Sequence, residues 1–268
     1  MPVGFKQKVF VRLKKFFVGD AMTTPNLYIG TSGWSYRWKG LFYPEELKSA
    51  EYLSFYAGHF NCTEVNSSFY HFTMAKTIEK WLAETPPTFK FCAKLNQEIT
   101  HKRKFEDIDE PLDKFMSRYL LMGERLGPLL IQIASSFRFE RPVAEGFYRT
   151  LREKYPDTKF ALETRHKSWQ TEEALDLLRD YDITYVIASA GKRWPYLETT
   201  TNETVYLRLH GDERLYSSLY TDEQLERYAF MINDWLLDGK EVWVFFNNTM
   251  FGSAIQNAKT LQELMQNM

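Results

Sequence analysis

Eight short runs of β-branched and aromatic residues recur along the chain, and most are followed by a segment with helical periodicity. The runs are Leu27–Thr31, Cys62–Asn66, Lys90–Lys94, Leu129–Ile133, Lys159–Thr164, Thr184–Ala188, Val205–His210 and Val242–Asn247. Helical periodicity covers Ser49–His59, Ala75–Glu84, Pro111–Leu126, Thr171–Tyr181, Asp222–Leu237 and Gly252–Met265. Eight strand–helix units in 268 residues match a (β/α)8 TIM barrel, a fold of about 250 residues.

An open, doubly wound sheet is the competing α/β architecture for this pattern. Such sheets often carry a GxGxxG turn after their first strand, and none follows Leu27–Thr31 here. We therefore predict an α/β fold, a (β/α)8 TIM barrel, formed as a single domain over residues 26–268.

Residues 1–25 lie outside this pattern and are predicted to be a basic N-terminal extension. Lys6, Lys8, Arg12, Lys14 and Lys15 occur among its first nineteen residues, which contain no acidic side chain. These charges interrupt the apolar core that a signal peptide needs. Two interpretations stay open, an extension without a fold of its own and a basic amphipathic helix that contacts a membrane or a partner.

The overall charge argues against a broad nucleic-acid-binding surface. Lys and Arg number 34 against 35 Asp and Glu, giving a net charge of −1. The two cysteines, Cys62 and Cys92, form neither a disulfide framework nor a zinc spacing, which fits a reducing cytoplasm. Because no apolar run approaches the ~20 residues of a membrane span, we expect a cytoplasmic protein without integral membrane association.

Polar side chains interrupt the apolar runs near their carboxyl ends. Residues two apart on a strand share a face, and barrel enzymes carry their chemistry at the carboxyl ends of the strands. We therefore expect one polar cluster at the mouth of the barrel, formed by Glu64, Asn66, Lys94, Gln132, Glu163, Arg165, Arg208, His210 and Asn247. The cluster is interpreted either as a basin open to a ligand or as an internal salt-bridge network that plugs the barrel.

The cations of this cluster indicate an anionic polar ligand. Lys94, Arg165 and Arg208 outnumber Glu64 and Glu163, and guanidinium groups suit phosphate or carboxylate. A carboxylate could serve as general base and His210 as proton carrier, in a hydrolase, lyase or isomerase reaction. We predict neither a metal nor another cofactor, because the surrounding Lys and Arg side chains compete with a cation.

Two alternatives come from other functional classes. Basic residues beside Trp34, Trp169 and Trp194 could bind a nucleotide or the end of a nucleic acid by stacking. The chain could also be a non-catalytic scaffold whose polar cluster only stabilises the barrel.

Several motifs resemble the YecE-like family (domain of unknown function 72, DUF72). They are IGTSGWSY at 29–36, FYPEEL at 42–47, CTEVNSSFY at 62–70, FKFCAKLNQEITH at 89–101, LGPLLIQIASSF at 126–137, FALETRHKSW at 160–169, VYLRLHG at 205–211 and VFFNNTMFGSAIQNA at 244–258. The resemblance implies a TIM barrel without a settled reaction, comparable at the level of fold with endonuclease IV-type barrels. His101, His166 and Trp169 also lie near the predicted mouth in the sequence, and the resemblance implies that they belong to the polar rim together with the cluster above.

This sequence departs from the family pattern at two places. Lys167 stands where members often have a proline, so the loop that follows the fifth strand is expected to be less rigid. The sixth strand ends at Ser189 and Ala190, where members often have an acidic residue, and this further weakens a metal-dependent interpretation.

Overall fold

The computed structural model describes residues 25–268, and its eight strands form one parallel barrel. The strands are β1 (Leu27–Thr31), β2 (Cys62–Val65), β3 (Lys90–Lys94), β4 (Leu126–Gln132), β5 (Phe160–Glu163), β6 (Thr184–Ser189), β7 (Thr204–Leu209) and β8 (Glu241–Phe246). They are hydrogen-bonded in the order β1-β8-β7-β6-β5-β4-β3-β2. The predicted TIM barrel is confirmed, whereas the predicted extension over residues 1–25 lies almost wholly outside the described residues.

Seven α-helices surround the strands in the described part of the chain. They are α1 (Tyr52–Ala57), α2 (Ala75–Glu84), α3 (Asp109–Tyr119), α4 (Arg141–Lys154), α5 (Glu172–Asp180), α6 (Asp222–Leu237) and α7 (Ser253–Gln266). A loop without an α-helix joins β6 to β7. None of the helices within residues 25–268 combines the length and apolarity needed to cross a bilayer.

The barrel interior below the mouth is filled by aromatic and small side chains. Tyr206, Trp243 and Phe245 pack there with Cys62 and Cys92, both of which are buried free thiols. Burial raises the pKa of both thiols well above the usual range, so they are unreactive core residues at neutral pH. These apolar side chains lie directly below the polar layer at the mouth of the barrel.

Side chains, rather than a backbone ladder, close the barrel between β1 and β2 within the described strands. The Asn61 amide nitrogen donates to the carbonyl of Leu27 (2.8 Å), and its oxygen accepts from the amide of Ile29 (3.0 Å). The Tyr56 hydroxyl accepts from the amide of Thr31 (2.7 Å) and donates to a β2 carbonyl (3.2 Å). These bonds satisfy buried backbone groups that would otherwise lack a partner.

The junction between β1 and β2, here called the seam, requires a glycine in β1 because the two backbones lie so close together. A Cβ added to Gly30 would lie 2.2 Å from the carbonyl oxygen of Cys62, far inside van der Waals contact. Neither strand can move away without breaking the bonds of Asn61 and Tyr56. Gly30 is thus fixed by the close approach of β2.

We predict that Gly30→Ala lowers the free energy of unfolding by about 3 kcal/mol, because the added methyl group overpacks the seam. Gly146→Ala is the matched control, since Gly146 lies exposed in α4 with open space around it. That change should raise the free energy of unfolding by about 0.5–1 kcal/mol through helix propensity. Urea denaturation of both variants checks this, and equal stability of the two would contradict the role of the seam.

Candidate functional site

Five predicted side chains meet inside the barrel at the carboxyl ends of β2, β3, β4, β5 and β7. They are Glu64, Lys94, Gln132, Glu163 and Arg208. Arg208 is paired with Glu64 and Glu163, and Lys94 is hydrogen-bonded to Gln132. Strand alternation turns each of them inward, and the parallel register brings their ends to the same height. These five side chains therefore lie in one polar layer at the carboxyl ends of the strands, where the sequence predicts a polar cluster.

Arg208 is the centre of this layer, and each of its three guanidinium nitrogens donates to a carboxylate. Its Nε donates to Oε2 of Glu64 (3.0 Å) and its Nη2 to Oε1 of the same residue (2.6 Å). Its Nη1 donates to Oε2 of Glu163. All three side chains are buried, so the triad is an internal ion-pair network rather than an open surface.

Glu64 has no free acceptor directed at the mouth. Besides Arg208, the hydroxyl of Ser32 donates to Oε1 (2.9 Å) and the hydroxyl of Tyr206 to Oε2 (2.7 Å). Each oxygen thus accepts two hydrogen bonds. Glu64 is therefore the countercharge of Arg208, and this geometry does not suit the predicted role of general base.

Glu163 is held as a carboxylate by two guanidinium groups. Nε and Nη2 of Arg165 lie 3.1 and 3.0 Å from its Oε1, and Arg208 contacts its other oxygen. Burial opposes ionisation of Glu163, but Arg208 and Arg165 outweigh burial and keep its pKa well below the usual range. A base with so low a pKa accepts a proton poorly at neutral pH.

Lys94 differs from Arg208 because its charge has no carboxylate partner. Its Nζ donates to Oε1 of Gln132 (2.6 Å) and lies 3.8 Å from the ring centre of Phe69. It forms no ion pair with any residue from 25 to 268. Burial, and then the charge of Arg208, lower the pKa of Lys94 to about 7.

Arg165 lies at the rim and keeps part of its hydrogen-bonding capacity. Its guanidinium stacks on the ring of Trp194 at 3.8 Å, and 18% of its side chain is exposed. Its Nη1 makes no hydrogen bond to the part of the chain that the structure describes. Arg165 can therefore donate to a ligand while Nε and Nη2 remain on Glu163.

His210 is buried behind this rim. Its Nδ1 lies 3.0 Å from the side-chain nitrogen Nδ2 of Asn247, and its Nε2 lies 3.5 Å from Oε2 of Glu163. Nε2 makes no hydrogen bond within the described residues. Burial lowers the pKa of His210, so the imidazole is neutral at pH 7. The rings of Trp194 and Tyr216 contact it edge-on.

The other predicted polar residues lie around the mouth in supporting positions. His101 packs edge-on against Phe69, and burial together with the charge of Lys94 lowers its pKa to about 4. The amide of Asn66 donates to the carbonyl of Ser32 (3.3 Å). His166 accepts from the backbone amide of the residue two positions on (3.1 Å) and so caps the following turn.

The two predicted ligand-binding tryptophans differ in their burial. The indole of Trp169 is buried and donates to the carbonyl of Phe137 (2.8 Å), so it is a packing residue, which corrects its expected role at the mouth. Trp34 lies in the loop after β1, is half-buried and packs edge-on against Trp81 of α2, with ring centres 5.3 Å apart. Its role in ligand binding stays a prediction.

Three contacts of the layer lie outside the predicted set. Tyr206 precedes Arg208 by two residues and therefore shares its inward face, a signal that strand alternation contains. Ser32 follows the end of β1 at the same height. Phe69 has no such signal, because it lies in a turn after β2 and reaches Lys94 only through the tertiary fold.

We predict that Arg208→Met lowers the free energy of unfolding by about 3–5 kcal/mol, because Glu64 and Glu163 would remain buried without a countercharge. Arg179→Met provides the matched control at an exposed ion pair with Glu172 and should cost less than about 1 kcal/mol. Chemical denaturation at neutral pH measures both. A small loss for Arg208→Met would show that water reaches the triad.

Known proteins resemble this chain in sequence over most of its length. The family model described as protein of unknown function DUF72 matches residues 28–268. UPF0759 protein YunF of Bacillus subtilis (strain 168) is 27% identical over 270 residues, covering 89% of this chain and 94% of YunF. UPF0759 protein YecE of Escherichia coli (strain K12) is 29% identical over 112 residues, covering 41% of this chain and 39% of YecE.

Solved structures agree with these sequence matches. The crystal structure of a DUF72 family protein from Thermotoga maritima MSB8 has a TM-score of 0.81 and 33% identity, covering 89% of this chain and 98% of that one. A DUF72 family protein from Enterococcus faecalis V583 has a TM-score of 0.78 at 19% identity, covering 89% and 95% of the two chains, and shares the fold. The chain therefore belongs to the DUF72 family, as its motifs indicate.

Proposed function

We propose that the barrel mouth binds an anionic small molecule between Lys94 and Arg165. The observation that supports this is the partly buried ammonium group of Lys94, which has no ion pair within residues 25–268. A desolvated cation costs free energy unless an anion compensates it. A ligand with a phosphate or carboxylate group would supply that anion.

The charge balance of the layer favours the same conclusion. The carboxylates of Glu64 and Glu163 are matched by the guanidinium groups of Arg208 and Arg165. Protonated Lys94 is therefore the excess charge of the cluster. An anion beside Lys94 would neutralise the layer, and Nη1 of Arg165 offers it a second, planar donor.

The arrangement also supports a metal-independent site. Arg208 occupies both carboxylates, so a metal cation would have to displace a guanidinium group that already makes short contacts with Glu64 and Glu163. For proton transfer, Lys94 suits neutral pH better than either carboxylate does, because its pKa lies near 7. If the site is catalytic, Lys94 is the acid–base group of an anion-processing reaction.

We predict that sulfate stabilises the wild-type protein and that Lys94→Met weakens sulfate binding at least about tenfold, because the ammonium contact is lost. Without sulfate, Lys94→Met should be about 1 kcal/mol more stable than wild type, since a desolvated charge is removed. Lys192→Met, at an exposed position of the β6–β7 loop, should bind sulfate like wild type. Denaturation at several sulfate concentrations tests all three proteins.

Failure of sulfate and of small carboxylates to stabilise the wild type would contradict the proposal and leave the scaffold interpretation. If the protein binds an oligonucleotide and its affinity decreases with salt as steeply as contacts to several phosphates require, the result would instead support the nucleic-acid alternative. A single bound anion gives a shallow salt dependence, so the two results are distinguishable.

Sulfate affinity should also depend on pH. Protonated Lys94 binds the anion, and its protonated fraction falls up to tenfold for each pH unit above about 7. The affinity for sulfate is therefore highest below about pH 7 and decreases as the pH rises above that value. The charged or titratable groups around Lys94 are Glu64, Glu163, Arg165, Arg208 and His101. The pKa of His101 lies near 4 and that of Glu163 well below its usual range, so neither accounts for a change just above pH 7.

Calorimetric titration of sulfate from about pH 6 to about pH 9 measures this dependence, because sulfate keeps its charge throughout the range. Lys94→Arg is the control, since arginine stays protonated and should give a flat profile. A flat wild-type profile would contradict the assignment of Lys94.

A further inference from the structure

We infer that Lys94 forms an imine with a carbonyl group of the bound ligand. This inference rests on the proposed function and narrows the ligand to a small carbonyl compound that also carries a carboxylate or phosphate. It adds a covalent step to a residue that is otherwise only an anion contact.

The amine of Lys94 is held by one hydrogen bond and one ring contact, and neither partner is a carboxylate. A neutral amine carries two N–H groups and one lone pair. One N–H is engaged by Oε1 of Gln132, and the ring of Phe69 covers another side of Nζ. Gln132 is itself fixed, because its amide nitrogen donates to the carbonyl of Ile133. The remaining directions around Nζ are not occupied by a carboxylate of the described chain.

The surroundings favour the neutral amine, which is the nucleophilic form. Burial of Nζ disfavours its charged form most, and Arg208 adds positive charge nearby, while the two carboxylates of the layer are already engaged by the arginines. The resulting pKa of about 7 leaves roughly half of the Lys94 side chains neutral at pH 7. An ordinary lysine is neutral in only about one molecule in a thousand at that pH.

The second contact sets the class of ligand. Nη1 of Arg165 carries donors that no described residue accepts, and the stack on Trp194 holds the guanidinium plane at the rim. A planar guanidinium binds carboxylate or phosphate well. A compound with its carbonyl at Lys94 and its anion at Arg165 would use both groups at once.

The proposed step is balanced without any further reagent. The Lys94 nitrogen bonds to the carbonyl carbon, and the carbonyl oxygen takes up the proton that the nitrogen releases. The carbon–oxygen bond then breaks, water leaves with one further proton, and the carbon–nitrogen double bond forms. The products are one imine and one water molecule, and hydrolysis reverses the reaction.

Reductive trapping with glyoxylate tests this inference on the full-length chain. Cyanoborohydride reduces an imine of glyoxylate to carboxymethyl-lysine, which peptide mass mapping locates at individual lysines. We expect Lys94 to be modified at least about tenfold faster than Lys192 at neutral pH, as its larger neutral fraction requires. Because the lysines compete within one wild-type molecule, the comparison does not depend on the folding of a variant.

Two variants test the roles of the amine and of Arg165. Lys94→Arg keeps the positive charge but cannot form the imine, so it should lose the modification at position 94. Arg165→Met should remove the preference for glyoxylate over acetaldehyde, an aldehyde without a charge; the measured quantity is the ratio of the two modification rates at Lys94 within each protein. Circular dichroism and thermal unfolding verify that both variants are folded.

The outcomes separate this inference from the proposed function. Sulfate binding without selective modification of Lys94 would overturn the inference and leave the anion site standing. Selective modification without sulfate binding or a preference for glyoxylate would support the amine and overturn the anionic ligand. The absence of both would overturn both.

Discussion

The contact between Arg208 and the two buried carboxylates is the interaction on which the barrel mouth depends. It joins β7 to β2 and β5, three strands that are far apart in sequence, and it lets two negative charges remain inside the barrel. A buried ion pair is costly unless its geometry is good and its remaining hydrogen bonds are made. Here Ser32, Tyr206 and Arg165 complete those bonds. The interior below it is apolar, so the polar layer has one open side only.

This pairing determines the chemistry left to the other residues. Once the arginines are satisfied by Glu64 and Glu163, Lys94 experiences their positive charge without a carboxylate of its own. The same network therefore stabilises the fold and perturbs one amine. Perturbed groups at the carboxyl end of a barrel are common features of functional sites, although structural networks also produce them. In this layer Arg208 and the two carboxylates form a structural network, and the neighbouring Lys94 is the perturbed group.

Much of the fold and part of the site could be predicted from sequence. Strand periodicity located the eight strands and placed Glu64, Lys94 and Arg208 on inward faces, because side-chain direction is fixed by a period of two. The helical segments predicted from the sequence do not include α4, although Ala144, Phe147, Tyr148 and Leu151 form its buried stripe. Strand periodicity does not indicate which charged side chains form ion pairs, because ion pairing depends on distances between strands. For the same reason Trp169 looked like a rim residue and is a core one.

The seam between β1 and β2 has a consequence for aggregation. A strand edge without a partner is a template on which another chain can add, and a closed barrel normally removes every such edge. In this protein the side chains of Asn61, Tyr56 and Thr63 replace the ladder and hydrogen-bond the edge groups of β1. Protection against intermolecular strand pairing therefore depends on the identity of three residues rather than on main-chain hydrogen bonds.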